Sequence, residues 1–262
     1  MSPPDGSDTW DIPRSISSMP ESLDVLHRII DWSRRNRSPL GYFAALYTKV
    51  GNRLEEAIAG GKFRSPEQMR KLDVVFFNRY LEALYLWRRG RVPTLPWKVT
   101  LDTVGDRRAI VLQHLLLAMN AHIDLDLGVA TADAIPPEEL DDFERDFDTM
   151  NGVLASLMDD IQTDLGFIFP LLKPVNFLLR EKDDMILNFS MKAAREVAWQ
   201  NCLRIARLEG TERDAAVGQL ATHTGHIGSL VVSPGIVGGA VVRFVRMRET
   251  GDVASRITEL LD

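Results

Sequence analysis

Ala109-Ile-Val-Leu-Gln-His114-Leu-Leu-Leu-Ala-Met-Asn120-Ala-His122-Ile-Asp124-Leu-Asp126-Leu127 is the stretch on which the fold turns. From Ala109 to Ala121 only Gln113, His114 and Asn120 interrupt the apolar run. A helix that is apolar on every side has no face to offer water, so it belongs at the centre of a domain with other helices around it. The expectation is an all-α helical bundle built around this segment, running from near Asp106 to Gly128.

The flanking sequence supplies the surrounding helices. Leu23, Leu26 and Ile30, with Val25, Ile29 and Trp32 beside them, give a wide apolar stripe over about 20–36. Phe43, Leu46, Tyr47, Val50, Leu54 and Ile58 mark a second helix that Gly60-Gly61 stops. Ser65, Pro66 and Gln68 read as a capping box opening a third helix, which runs through Leu72 and Trp87 to Gly90. Residues 90–105, with Pro93, Pro96 and Gly105, read as a connecting loop carrying Trp97. Beyond the central segment, Pro136-Pro137-Glu138-Glu139 opens a helix that continues to Pro170 and Pro174. Another covers roughly 183–208, and one more runs from a Thr211 cap towards Ser229. Two short pieces parted by Thr250-Gly251-Asp252 close the chain. Only Val231-Val232 and Val241-Val242 hint at strand. The sum is a single all-α domain of about seven to nine helices over residues 20–262, after a flexible arm (1–19) that Trp10 pins.

Composition narrows the function classes. The chain has 262 residues, 45% hydrophobic and 26% charged, enough for a sizeable core. Cys202 is the single cysteine, so a disulfide framework and a Cys-rich zinc module are excluded. With 31 basic and 37 acidic residues the net charge is −6, which argues against nucleic acid as a partner. The N-terminus lacks the pattern of a secretory signal, and the uncharged stretch Ile227–Val242 is glycine-interrupted and short for a span. The expectation is a cytoplasmic protein without stable membrane insertion, in which Ile227–Val242 forms two elements joined by a Ser-Pro-Gly turn.

The polar residues of the central helix carry the functional signal. A buried polar group without a partner costs on the order of 1–3 kcal/mol. Keeping Gln113, His114, Asn120, His122, Asp124 and Asp126 together implies partners, a wet cavity, or both. At about 100° per residue His122 and Asp126 share a face, while Asn120 and Asp124 form a second pair pointing away. His114 lies about 12 Å along the axis from His122, so both can line one elongated cavity but cannot bind one metal. Three readings stay open: hydrogen bonds that fix the core's register, a His122–Asp126 acid–base pair, and a metal site completed from other helices.

Further polar islands are Asp73, Asn78 and Tyr80 on the third helix, with Arg79 and Glu82 as an exposed pair, and Arg195 one turn from Trp199, an arginine placed to stack on an indole. His223 and His226 read as a solvated pair. The acidic runs Asp141–Asp146 and Asp159–Asp164 resemble the aspartate-rich motifs of all-α terpene cyclases, although acids early in a helix also complement its dipole.

The stretch from His114 to Gly128 resembles the most characteristic segment of an actinobacterial family, domain of unknown function 5995. Gly41–Tyr47, Leu72–Tyr80, Asp146-Phe147 with Asn151, and Arg195–Trp199 support it, over about residues 40–205. The resemblance implies Asn where this chain has Asp124, and it brings no assigned activity.

The expected function is a small-molecule enzyme of secondary metabolism acting on a hydrophobic metabolite by acid–base chemistry, as a hydrolase, isomerase or cyclase. His122, Asp126, His114, Asp124 and Asn120 are the candidate catalytic residues. Asp73, Asn78, Tyr80, Arg195 and Trp199 are the candidate substrate-binding ones, with Asn120 or Asn78 as donor to developing negative charge. No cofactor is expected, with a divalent metal left open, and homo-oligomer formation is open too. The alternatives are a metal-dependent enzyme using His122 and Asp126, a non-catalytic binding protein for a lipid-like ligand, and a terpene-cyclase-like protein. No phosphate-binding glycine loop or nucleophile elbow is present, and Cys202 on an apolar face makes a poor nucleophile.

Overall fold

The computed structural model describes residues 10–168 and 191–262, which form ten helices and no strand. They are α1 (Met19–Asn36), α2 (Leu40–Ala59), α3 (Pro66–Arg88), α4 (Leu95–Thr103), α5 (Val111–Ala134), α6 (Leu140–Ile168), α7 (Met191–Ile205), α8 (Gly210–Val232), α9 (Gly235–Arg246) and α10 (Val253–Leu261).

The all-apolar segment becomes α5, and the other helices pack round it. Its first turns lie against α2 and α4, its middle against α7 and α8, and its last turns against α3 and α7. The most apolar stretch of α5 is long enough to cross a membrane, and 83% of it is buried inside the protein. It begins later than Asp106, which lies in a turn held by Arg108, and Val111 N donates to the Glu249 carboxylate at 2.7 Å. It also does not stop at Gly128. That residue stays helical (φ −64°) and marks a close approach, since a Cβ there would stand 2.6 Å from the carbonyl oxygen of Ala198 on α7. Between them, Asn120–Leu127 is wound as π-helix, with i→i+5 bonding, where the sequence reading assumed a regular α-helix.

The extra helix relative to the sequence count is α4, where a loop was expected. Pro96 sits in its first turn, where a missing N–H leaves nothing unsatisfied. The Thr100 hydroxyl then bonds Pro96 O at 2.8 Å and Leu117 O of α5 at 3.0 Å. Trp97 and Leu101 are thereby carried into the core, each 2% exposed or less. Burying such a side chain contributes about 1.5–3 kcal/mol, enough to hold a nine-residue helix that would be marginal in isolation.

The N-terminus of α3 is capped differently from the expected box. The Ser65 side chain makes no capping bond. Asp146, 1% exposed on α6, accepts from the backbone N–H groups of Arg64 (2.9 Å) and Ser65 (2.6 Å) instead. One carboxylate of the first acidic run is therefore a cap across two helices. The second run, Asp159–Asp164, has side chains outside the described residues, as do Pro170 and Pro174. On α6, Phe143 and Phe147 are each 1% exposed and build a second core with Trp199 and Cys202 of α7.

At the chain's two ends, helices α8 and α9 meet at the Ser233-Pro234 turn, and α9 and α10 are separated around Gly251 (φ +71°), with Asp252 accepting from Ser255 N at 2.9 Å. Of the arm expected over 1–19, residues 10–18 lie on the body. Trp10 meets Trp32 edge to face at 4.7 Å, and Arg88 covers Trp10 at 4.6 Å. Asn78 holds both backbone groups of the buried Ile16, accepting from its N–H at 2.8 Å and donating to its carbonyl at 3.0 Å.

Candidate functional site

Four helices converge on the π-helical stretch. Helix α2 supplies Phe43 and Tyr47, α3 supplies Asp73, Phe76, Arg79 and Tyr80, α4 supplies Trp97, and α5 supplies His122 and Asp126. Asp126 is 1% exposed and its oxygens are shared out. Oδ1 accepts from Arg79 Nε at 2.8 Å, Oδ2 from Trp97 Nε1 at 2.7 Å, and His122 Nδ1 stands 3.5 Å from Oδ2. The His122 ring lies flat on Phe76, centroids 3.6 Å apart and planes 7° apart. Tyr47 and Phe43 close round it with centroids at 5.0 and 5.6 Å, and Trp97 and Tyr80 at 6.0 and 6.2 Å. The result is an imidazole in an aromatic nest, with one nitrogen turned to a carboxylate. The other, Nε2, has no hydrogen-bond partner among the described residues, and the same holds for Tyr47 Oη and Asp73 Oδ2.

The electrostatics follow from burial and the one cation. Burial pulls the Asp126 carboxyl upward, but the Arg79 charge and the bonds from His122 and Trp97 outweigh it and hold the group below its ordinary value. Burial lowers His122, opposed by Asp126, so the ring is neutral at pH 7. With a carboxylate facing Nδ1, that nitrogen carries the proton and Nε2 keeps its lone pair, a tautomer assigned from the partner. The Tyr47 phenol is pushed well up by burial and by the Asp73 and Asp126 charges. Burial raises Asp73 to about 7.

The remaining sequence candidates fall elsewhere. His114 stands in a different setting, 5.8 Å from Tyr42, and lines a cleft that His122 does not. Asn120 bonds α8, its Nδ2 donating to Thr224 O at 3.0 Å, while Oδ1 has no partner among the described residues. Asp124 is half-buried and raised to about 7 by that burial, with no hydrogen bond among the described residues. Asn78, expected to face the central helix, is spent on Ile16. Arg195 stacks on Phe147 at 4.3 Å rather than on Trp199, and donates to Asn151 Oδ1 and Phe147 O, each at 2.7 Å. Trp199 packs on Phe147 at 4.9 Å. His223 and His226 are exposed. The Cys202 thiol is buried and pushed up to about 12. No group of three or more His, Cys, Asp or Glu converges among the described residues.

Arg79, Trp97, Tyr47, Phe43 and Phe76 were missed as site residues. Arg79 had a legible signal: a carboxylate buried on α5 needs a cation, and Arg79 is the cation inside the aromatic run of α3. Trp97 and Tyr47 had none, because an aromatic residue in a loop or on an apolar face looks the same whether or not its polar tip has a partner.

No curated protein and no solved structure matches the chain. Residues 19–234 match the model of a family described as "Family of unknown function (DUF5995)". The match takes in every residue of the cluster on α2–α5, and reaches past Trp199 to include His223 and His226. It covers most of the sequence, and the chain belongs to that family.

Proposed function

We propose that the chain is a small-molecule enzyme in which His122 is the general base and Asp126 its orienter, acting on a hydrophobic substrate. The observation that carries this is that His122 Nε2, Tyr47 Oη and Asp73 Oδ2, three of the eight buried side-chain polar atoms without a partner among the described residues, belong to one cluster of side chains. Native interiors leave few such atoms, and each calls for an explanation such as a catalytic role or a bound water. The side chains packed round His122 are aromatic, which suits an apolar, flat molecule that would take the place of one of them.

The chemistry divides as follows. Asp126 holds the His122 tautomer, and Nε2 takes a proton from the substrate. Tyr47, kept protonated by burial, donates a hydrogen bond to an oxygen on which negative charge develops. That role passes to Tyr47 because Asn78 and Asn120 hold backbone carbonyl or amide groups. Whether the outcome is hydrolysis, isomerisation or cyclisation depends on the substrate.

A second reading has its own observation. Asp126 ties α3, α4 and α5 together through Arg79 and Trp97, which a non-catalytic binding protein for a lipid-like ligand would equally need. The test is a panel of small apolar esters, epoxides and enolisable ketones, followed by hydrolysis and by α-proton exchange in deuterated water. Turnover is expected with one class, falling by about 10²–10⁴-fold in His122→Gln and Tyr47→Phe, with melting temperature within a few degrees. Binding without turnover, or turnover that survives His122→Gln, removes the proposal.

A further inference from the structure

The cleft beside the N-terminal end of α5 has a composition of its own. It encloses about 1060 Å³ and is walled in part by Trp32, Pro39, Tyr42 and Trp87. Its lining carries seven arginine or lysine side chains against two aspartates, in a chain whose net charge is −6. Part of that positive charge is already used. Lys98 pairs with Asp102, Arg246 and Arg256 share Glu249, and Arg88 lies over Trp10 and Trp32. Arg37 acts on the Asp252 carboxylate, and Arg91 and Arg107 remain, exposed, with no ion pair among the described residues.

At the inner wall His114 is 7% exposed, and its ring makes no hydrogen bond among the described residues. Burial lowers it to about 4, so it stands there neutral and able to donate from one nitrogen and accept at the other. A buried polar side chain without a partner thus opens on a cleft whose rim bears unpaired guanidinium groups. Guanidinium forks match carboxylate and phosphate oxygens, and indole and phenol faces take flat apolar bodies. The volume is at the upper end for small-molecule pockets.

We propose that this cleft is a second ligand site, taking a small organic anion: a carboxylate or phosphate monoester with a flat apolar body. The acid group sits by Arg91 and Arg107, and the body lies against the half-buried Trp87 with His114 at its inner edge. The site is separate from the His122 nest, none of whose residues line it.

Calorimetric titration of the full chain with 2-naphthoate, 2-naphthyl phosphate, naphthalene-2-methanol and inorganic phosphate tests this. Both naphthyl anions are expected to bind, more weakly at high salt, and the alcohol and inorganic phosphate to bind at least about tenfold more weakly. Arg91→Ala with Arg107→Ala changes exposed side chains, so folding is preserved, and should weaken both anions roughly tenfold. The His114 ring ¹⁵N resonances should shift on binding, and His122→Gln should leave it unchanged. The proposal is overturned if no anion binds up to millimolar concentration, or if the alcohol or inorganic phosphate binds as tightly as the naphthyl anions. It is equally overturned if the double variant is unaffected, or if His122→Gln abolishes binding.

Discussion

Arg79→Met is the sharpest test of how the centre of the bundle is held. The Arg79 side chain is 22% exposed and that of Asp126 only 2%, so the two ends of this ion pair are not equivalent. Removing the cation leaves a carboxylate sealed in the core with Trp97 and a distant His122 Nδ1 as partners. Stranding a buried charge in this way costs about 3–5 kcal/mol. Removing the anion with Asp126→Asn is milder, because Arg79 can turn its exposed part to water. The loss is then nearer the 1.5–3 kcal/mol of charge-assisted hydrogen bonds. In the double variant neither charge is stranded, so its cost should fall short of the sum of the singles by about 1–3 kcal/mol. Urea denaturation followed by helical circular dichroism, at pH 7 and fixed ionic strength, measures all four proteins. The expected order of stability is wild type, Asp126→Asn, Arg79→Met. If Asp126→Asn is the more damaging single change, or the two add to within about 0.5 kcal/mol, the argument from unequal burial fails.

Two further outcomes follow from the same geometry. Asp73 is held near 7 in the folded chain against about 3.9 when unfolded, so its contribution is intact below about pH 4 and is lost as the pH rises towards 7. Asp73→Asn should therefore be more stable than wild type at pH 8, by at most about 4 kcal/mol, with the difference vanishing near pH 4; a pH-independent difference in urea midpoints would contradict this. Gly128→Ala should cost about 1–3 kcal/mol, because its Cβ meets the backbone of α7 at 2.6 Å. Gly152→Ala on α6 meets nothing within 4 Å and should gain roughly 0.5–1 kcal/mol; equal melting temperatures for the two variants would refute the close-approach argument.

Much of the architecture was legible because helices announce themselves by apolar spacing. The central position of α5 followed from its lack of a polar face, and α1 and α2 from their stripes. The errors cluster where tertiary contact overrides local signals. Two prolines and a glycine argued for a loop at 90–105, but Trp97 and Leu101 repay helix formation by burial. Gly128 read as a stop because sequence cannot distinguish a terminating glycine from one that admits a neighbouring backbone. Ser65 and Gln68 fitted a capping box, yet the cap comes from Asp146, 82 residues away from Arg64. Within the site, the pairing of His122 with Asp126 was readable from their spacing. The cation from α3 was readable only by asking what a buried carboxylate on α5 needs, and the indole from α4 left no signal at all. That His114 and His122 do not share one cavity was equally hidden, since it depends on which neighbours flank each turn.

The wide winding of Asn120–Leu127 lets one rod serve two clients. In a uniform α-helix, the angular phase of every later residue is fixed by the earlier ones, so Val111–Met119 would dictate where Gly128–Ala134 points. A segment with a different residue count per turn breaks that bookkeeping and acts as a phase adjuster. The upstream half can then be tuned for its contacts with α2 and α4 while the downstream half stays aligned for the glycine-width approach of α7. Losing one residue inside the adjuster would regularise the helix and swing its far end away from that partner.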